Sequence, residues 1–215
     1  MILRSKLPGR PAKRTPWREA AWCAVDLELT GLDHRRNEII AIGAVPVEEG
    51  RVLLGQARYT LVRPTVSPEH GAVLVHKLRL ADLQDAPVLD EAIELLLDAL
   101  DGRVPVFHTA TVERRFIGPA LARRRWRMPA AADTEVIGRL WLRQHRGRAP
   151  AALSLSTLAQ ALALPAEPPH HALGDALTTA QVFIALASHL ERSEPQSVGS
   201  LLHAEDRLAS ARRFG

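Results

Sequence analysis

AAWCAVDLEL (residues 20–29) has a short apolar run that leads into two acids, Asp26 and Glu28, just before a turn, and this pattern predicts a β-strand at the centre of a sheet. Asp26 and Glu28 are two residues apart, and side chains two apart on a β-strand leave the same face of the sheet. The residues that alternate with these acids are predicted to point to the opposite, buried face: Val25, Leu27 and Leu29. A glycine turn follows at TGL, so the strand is predicted to end at the rim of a cleft.

Outward from this strand, the pattern predicts strands first and helices later. EIIAIGAVPV (38–47) and RVLLGQARYTLVRP (51–64) indicate two more strands, and their short connections favour an antiparallel meander. RVPVFH (103–108) indicates a short buried strand, which follows a helix that Gly102 ends. Apolar residues at helical spacing predict five helices, the fourth capped by Ser154: 89–100, about 112–125, about 134–145, about 154–163 and about 172–191. This order predicts a mixed sheet with helices against its faces.

The chain of 215 residues, 47% of them apolar, is long enough for one sizeable core, expected over residues 20–192. Residues 1–19 are basic and lack hydrophobic periodicity, so they predict a disordered or loosely attached arm. Residues 193–215 follow a polar break and predict a final amphipathic helix. Two roles stay open for this tail, docking on a partner protein or capping the chain's own core. Its apolar face would consist of Val198, Leu201, Leu202, Leu208 and Phe214.

Charge and cysteine content narrow the class of protein. The net charge is +4 and the pI is about 9.9, and arginine predominates among the basic residues. This composition favours polyanionic partners, because guanidinium groups pair with phosphates, but the coding bias of a GC-rich genome explains it equally well. No apolar run approaches the roughly 20 residues that span a bilayer, and no secretory signal is evident, so we expect no membrane association. Cys23 is the only cysteine, which excludes an intramolecular disulfide and makes the cytoplasm the expected location.

The acids of the first strand indicate metal chemistry. Adjacent carboxylates repel each other, and a hard cation such as Mg²⁺ or Mn²⁺ relieves that repulsion; a solvated strand face gives the same pattern. In PHHALGDALTTAQVF (169–183), Asp175 lies near the start of a helix that is apolar around much of its circumference. A cation would supply the partner that this acid needs, although a charge complementing the helix dipole is the alternative. Spacing leaves both His170 and His171 open as site residues.

VDLELTGL (25–32), VFHTATVERRFIGPAL (106–121) and HHALGDA (170–176) together resemble the three motifs of the DnaQ-like DEDDh exonucleases. This family includes the proofreading epsilon subunit of bacterial DNA polymerase III, and the resemblance runs from about residue 21 to 190. VHKL (75–78) stands where the family often has a His-Gly pair, and Asp133-Thr134 opens a helix as in the family. The resemblance implies an α/β fold of the ribonuclease H-like type, a mixed five-stranded β-sheet flanked by α-helices.

The resemblance also implies site residues. The first motif, D-x-E, falls on Asp26 and Glu28, and the third, H-x-A-x-x-D, falls on His170 and Asp175, which selects His170 as the general base. The second motif normally carries an Asp, and Glu113 stands there with the charge kept and one methylene added. Five residues are implied to contact substrate, with Thr109 replacing the usual Asn: Leu27, Leu29, Thr30, His108 and Thr109.

The implied activity is two-metal 3′→5′ hydrolysis of phosphodiester bonds, with DNA favoured over RNA and nucleoside 5′-monophosphates as products. Two Mg²⁺ or Mn²⁺ ions would be held by Asp26, Glu28, Glu113 and Asp175. The implied partners are single-stranded DNA or RNA 3′ ends and a polymerase or another nucleic-acid enzyme. The altered second motif motivates an alternative, a catalytically impaired module that binds single-stranded nucleic acid on the same fold.

Arginines crowd the second helix and its exit, and they either track a strand through its phosphates or form a solvated basic face. They are Arg114, Arg115, Arg123, Arg124, Arg125 and Arg127. The nearby large aromatic residues are predicted to belong to the core rather than to stack on bases: Phe107, Trp126 and Trp141.

Overall fold

The computed structural model describes residues 11–165 and 169–211 of the chain. Within them, one sheet contains the strands β1 (Trp22–Leu29), β2 (Ile39–Glu48), β3 (Arg51–Val52), β4 (Arg58–Leu61), β5 (Val104–Phe107) and β6 (Ala132–Asp133). The α-helices are α1 (His70–His76), α2 (Leu89–Ala99), α3 (Ala110–Arg123), α4 (Thr134–Arg146), α5 (Leu155–Ala161), α6 (Ala172–Glu191), α7 (Val198–Leu202) and α8 (Ala204–Ala211). Single 3₁₀ turns lie at Leu54–Gln56 and Leu80–Leu83.

The sheet is mixed, as predicted. Its strand order is β3-β2-β1-β5-β6, and β4 also pairs with β2. β2 runs antiparallel to β1, β3 and β4, whereas β5 runs parallel to both β1 and β6. The predicted meander and the helix-covered mixed sheet are therefore confirmed, with six strands in place of five.

The extra strand arises because the predicted third strand is broken into β3 and β4. The Leu53 N–H donates to the Pro46 carbonyl at 2.9 Å, so the backbone of Pro46 faces this side of β2. A proline has no N–H to return to the neighbouring strand, and the ladder is interrupted at that point. The chain therefore forms the 3₁₀ turn Leu54–Gln56 before pairing resumes at Arg58.

Alternation along β1 divides the apolar residues between two cores. Trp22 and Ala24 lie in the core covered by α4, α5 and α6, whereas Cys23 and Val25 lie in the core covered by α2 and α3. The next residues on the first of these faces are the two acids. The sequence therefore aims both carboxylates at the side of the sheet on which α6 packs.

A close approach between β2 and α6 depends on Gly43. A Cβ at this position would lie 2.2 Å from the Ala172 carbonyl oxygen and 2.6 Å from the Leu173 nitrogen, far inside van der Waals contact. The missing side chain thus lets the first turn of α6 rest directly on the sheet. This contact places the N-terminal end of α6 over the strand that neighbours β1.

The five helices predicted from apolar spacing are confirmed as α2 to α6, with ends within about two residues of the predictions. Gly102 has φ +70° just after α2, and Ser154 caps α5 by accepting the Thr157 N–H at 3.2 Å. Ten of the 20 residues of α6 are buried and the other ten are partly buried, which confirms the broad buried surface predicted for this helix.

The prediction of a loosely attached arm over residues 1–19 is wrong for residues 11–19, whereas residues 1–10 lie outside the described residues. Trp17 is fully buried, and its indole N–H donates to Glu191 at 2.9 Å. Its backbone N–H donates to the Gln196 carbonyl at 3.2 Å, beside a β-bridge between Pro16 and Ser197. The sequence lacks periodicity here because a single large aromatic side chain and a few backbone bonds anchor the segment.

The C-terminal segment packs on the core of its own chain. Val198, Leu201 and Leu208 are buried, the first two in the core that also contains Trp17 and Trp22. His203 ends α7, so two short helices replace the single helix that was predicted. Phe214 lies outside the described residues. Of the two roles left open for the tail, the described residues show the second, since they cover the core of their own chain.

Across residues 11–165 and 169–211, the helices are too short or too polar for any of them to cross a bilayer.

Candidate active site

Three acids from two elements converge at one end of the sheet. Asp26 and Glu28 leave the same face of β1, and Asp175 lies in the first turn of α6. One carboxylate oxygen from each lies within 4.8 Å of the other two. The geometry expected from the D-x-E pattern and from the position of Asp175 is therefore present.

Glu113 approaches the same cluster from α3. It lies in the first turn of that helix, directly after β5, and only 5% of its surface is exposed. Its charge raises the pKa of Asp26, as do the charges of Asp175 and Glu28. The parallel pairing of β5 with β1 is what brings the start of α3 beside the acids of β1.

Burial leaves these acids poorly stabilised as anions. Burial first, and then the neighbouring acids, raise the pKa of Asp26 well above its usual value. The pKa of Glu28 is raised to about 7 by burial and by Asp175, and that of Glu113 to about 8, chiefly by burial. Burial also raises the pKa of Asp175, although the neighbouring His170 opposes the rise. A cluster of this kind calls for positive charge.

Two carboxylate oxygens of the cluster have no hydrogen-bond partner within residues 11–165 and 169–211. Glu28 Oε1 and Glu113 Oε2 are buried and accept no hydrogen bond from the described residues. Unpaired buried acceptors are costly, and hard divalent cations prefer carboxylate oxygens as ligands. The residues present therefore fit a divalent cation, and Asp26, Glu28, Asp175 and Glu113 are the groups that could hold it.

The two histidines before α6 have different roles. His170 adopts a left-handed backbone with φ +68°, and its N–H donates to Asp175 Oδ2 at 2.7 Å, while its ring is exposed. His171 is the N-cap of α6, where Nδ1 accepts the Gly174 N–H at 3.4 Å. The ring of His171 also stacks on Tyr59, with centroids 4.8 Å apart and planes at 20°. The His171 ring therefore forms the cap and the stack, whereas the His170 ring is exposed and makes no such contact with the described residues.

The start of α3 is held by Asp133. This carboxylate accepts the backbone N–H groups of Thr109 and Ala110 at 3.3 and 2.8 Å, and it also caps α4 through the Glu135 N–H at 2.9 Å. The sequence marked Asp133 only as the opening of a helix. Its second role was missed because it depends on β5 and β6 lying side by side.

His108 and Thr109 lie at the rim of the cluster with their side chains engaged. His108 Nδ1 lies 2.9 Å from Thr134 Oγ1, and burial lowers the pKa of this histidine. The hydroxyl of Thr109 donates to Glu135 at 3.0 Å. The substrate contacts of His108 and Thr109 stay predictions.

Of the three β1-end residues expected to contact substrate, Leu29 and Thr30 serve the fold. Leu29 is buried in the core under α2 and α3. Thr30 is fully buried, and its hydroxyl donates to Asn37 and accepts the Glu38 N–H, both at 2.9 Å. The turn after β1 and the core thus engage both side chains, and the substrate contacts of these two residues stay predictions. Leu27 is half-buried against the same core, and its contact stays a prediction.

Three arginines in α3 and at its C-terminal end have different neighbours. Arg124 binds Asp90 and Glu94 of α2 at 2.9 and 3.0 Å, so it ties the two helices together. Arg115 and Arg123 line a groove of about 400 Å³, although Arg123 also lies 3.8 Å from Asp90. The three large aromatic residues predicted for the core are confirmed there. Phe107 and Trp141 are buried, and Trp126 is partly buried and packs against the core.

Two residues near the cluster were missed from the sequence. His76, noted only as a family landmark, is buried, and its Nδ1 accepts the Leu78 N–H at 3.0 Å. Tyr59 lies on β4, and its pKa is raised by burial and by the carboxylate of Glu28. Finding Tyr59 required the register of β4 against β2, which the broken third strand concealed.

Comparison with known proteins matches residues 23–183 to the family RNase_T, described as exonuclease. A PolC-type DNA polymerase III from Caldanaerobacter subterraneus is 26% identical over 85% of this chain and 13% of its own length. A putative bifunctional exonuclease/endonuclease protein from Mycobacterium tuberculosis is 34% identical over 87% of this chain and 29% of its own length. The chain thus spans less than a third of the length of either relative.

Solved structures share the fold. Exonuclease X, in a complex with 5′ overhanging duplex DNA, superimposes with a TM-score of 0.64 at 20% identity, covering 85% of this chain and 98% of that one. The nuclease domain of 3′hExo, a DEDDh family member bound to rAMP, gives the same TM-score at 13% identity, covering 85% of this chain and 98% of that one. Both likenesses concern the arrangement of the sheet and helices.

Proposed function

The chain belongs to the exonuclease family, and from that premise we propose that it is a metal-dependent 3′→5′ exonuclease of the DEDDh type. The observation that carries the proposal is the convergence of four acids, two buried and two partly buried, beside an exposed histidine. Two of these acids, Glu28 and Glu113, each keep a buried carboxylate oxygen that no described residue bonds. The proposed substrate is the 3′ end of a single DNA strand, with RNA as the second candidate, and the product is a nucleoside 5′-monophosphate.

Each acid is assigned a role. Asp26, Glu28 and Asp175 would hold one Mg²⁺ or Mn²⁺ ion, and Asp26 and Glu113 would hold a second. Bound there, two cations would activate a water and stabilise the leaving oxygen. The longer side chain of Glu113, rooted in the first turn of α3, is proposed to take the place of the usual Asp.

His170 is proposed to accept the proton of the attacking water at a ring nitrogen. Its backbone N–H is bonded to Asp175, which fixes the base relative to one acid while the ring stays free. The free ring supports general-base catalysis, since the group must reach a water outside the protein. His171 is excluded from this role by its cap and its stack with Tyr59.

Names of relatives support the wider role. DNA polymerase III proteins among the relatives favour DNA as substrate and a polymerase or another nucleic-acid enzyme as partner. A cytoplasmic location is proposed with these roles. The packing of Val198 and Leu201 in the core of this chain supports a partner surface that does not include these two side chains.

The test is hydrolysis of 5′-labelled single-stranded DNA and RNA of equal sequence, with Mg²⁺, Mn²⁺ or EDTA. Wild type should give a ladder that shortens from the 3′ end and vanishes in EDTA. Asp26→Ala and Glu113→Ala should abolish it, Glu113→Asp should keep it, and Asp98→Ala, an exposed acid of α2, is the matched control. Tight strand binding without any metal-dependent ladder would replace the exonuclease with the catalytically impaired binding module.

A further inference from the structure

We propose that the stacked rings of Tyr59 and His171 form a platform on which a base of the bound nucleic-acid strand stacks. This proposal rests on the proposed function, because it assigns a place beside the acidic cluster to one base of the substrate. It also gives a role to a residue pair that the three sequence motifs do not include.

Sheet register places Tyr59 in line with the acids. Asp26 of β1 pairs with Gly43 of β2, and Gly43 in turn pairs with Tyr59 of β4. Residues paired across a sheet share a face, so Tyr59 points to the same side as Asp26. Neighbouring strands lie about 4.8 Å apart, so the two residues are separated by roughly 10 Å.

The close approach at Gly43 brings the second ring. Because α6 rests on Gly43, its N-cap His171 reaches across β2 to the edge strand β4. There the two rings stack with centroids 4.8 Å apart and planes at 20°. The Gly174 N–H also donates to Nδ1 of His171 at 3.4 Å, so the ring is oriented by its own helix as well as by Tyr59.

The pair keeps aromatic surface open to solvent. His171 is exposed, and Tyr59 retains 36% of its surface although one face is covered by His171. Tyr59 also lies close enough to Glu28 for that carboxylate to raise its pKa. Every nucleobase has a flat face that can extend such a stack, and each base–aromatic contact contributes roughly 1–3 kcal/mol.

The first experiment measures binding of a fluorescein-labelled single-stranded DNA by anisotropy in EDTA, so that no turnover is needed. Tyr59→Leu should weaken binding about 5- to 150-fold, which corresponds to that range of stacking energy. Tyr59→Phe should bind within about twofold of wild type, since it keeps the ring. Leu54→Ala, an exposed residue just before β4, is the control for the apolar surface of this edge.

Two outcomes of this experiment overturn the platform. Equal binding by wild type and Tyr59→Leu removes it outright, and a loss in Tyr59→Phe as large as in Tyr59→Leu assigns the contact to the hydroxyl. The bound base is then located with strands that carry one abasic site at successive positions. When the abasic site replaces the base that stacks on Tyr59, wild type and Tyr59→Leu should bind the strand with equal affinity. If the two proteins differ in affinity by the same factor at every abasic position, no base stacks on Tyr59.

A second measurement uses the unaltered protein. Tyr59 is the only tyrosine in the sequence, so nitration by tetranitromethane reports on a single phenol through the absorbance of nitrotyrosine. Single-stranded DNA should slow nitration more than inorganic polyphosphate of matched charge, because only the DNA has bases. Equal protection by both polymers would show that phosphate alone covers Tyr59 and would refute base stacking.

Failure of the platform is distinguishable from failure of the exonuclease. If the wild type degrades DNA with Mg²⁺ and Tyr59→Leu binds DNA as tightly as the wild type, the base-stacking platform is refuted and the exonuclease proposal stands. If Tyr59→Leu weakens DNA binding but the wild type gives no metal-dependent ladder, the platform proposal stands and the exonuclease proposal is refuted.

Discussion

Removing the charge of Glu28 should stabilise the metal-free protein at neutral and higher pH. Burial and Asp175 raise the pKa of Glu28 from 4.5 to about 7. Below about pH 4.5, Glu28 is protonated in both states and has no effect on stability. Between the two values only the folded protein holds the proton, so stability falls as the pH rises, and the full penalty is present above about pH 7. At about 1.4 kcal/mol per tenfold change in proton affinity, the penalty is roughly 3 kcal/mol.

The assay is urea unfolding of wild type and Glu28→Gln in EDTA between pH 4.5 and pH 8. The free energy of unfolding of the variant should exceed that of wild type by an amount that grows with pH, reaching roughly 1–3 kcal/mol at pH 8. Excess Mg²⁺ should reverse the order, because wild type gains stability by binding it and the variant lacks a ligand. Glu91→Gln, on the exposed side of α2, is the control. A constant difference across the pH range, or a destabilised variant at pH 8 in EDTA, would refute the reasoning.

Three further substitutions test the packing that positions the site. Gly43→Ala should abolish the rise in Tm that Mg²⁺ gives wild type, because the added Cβ displaces α6, whereas Gly55→Ala, with nothing within 4 Å of its Cβ, should keep it. Trp17→Ala should lose roughly 3–5 kcal/mol in urea unfolding, and a loss under 1 kcal/mol would mean that residues 11–19 do not anchor. Thr30→Val should cost roughly 1–3 kcal/mol with DNA binding unchanged; unchanged stability with weaker binding would instead support a substrate contact of the Thr30 hydroxyl.

The sequence predicted those parts of the fold that depend on residues close together in the chain, namely the faces of β1 and the positions of the main helices. Alternation along β1 predicted both which face carries the acids and which residues face the second core. Apolar spacing predicted α2 to α6, because a helix that buries one face must repeat its apolar residues. Asp26, Glu28 and Asp175 were predicted as neighbours on the strength of a strand end, a helix start and a family pattern together.

Features that depend on contacts between distant segments were not predictable in this way. The break between β3 and β4 follows from which side of β2 the Pro46 backbone faces. The burial of Trp17 depends on residues more than 170 positions later in the chain. The commitment of Thr30 to the turn depends on Asn37, and the role of Asp133 depends on the pairing of β5 and β6.

Backbone hydrogen bonds join residues 13–15 to the start of α7. The Val198 N–H donates to the Thr15 carbonyl and the Gly199 N–H to the Lys13 carbonyl, at 2.9 and 2.7 Å. Beyond this point α7 and α8 still pack on the fold, with Leu201 and Leu208 buried. Displacing either segment would remove backbone hydrogen bonds from the other, so the two segments are expected to lose their structure together.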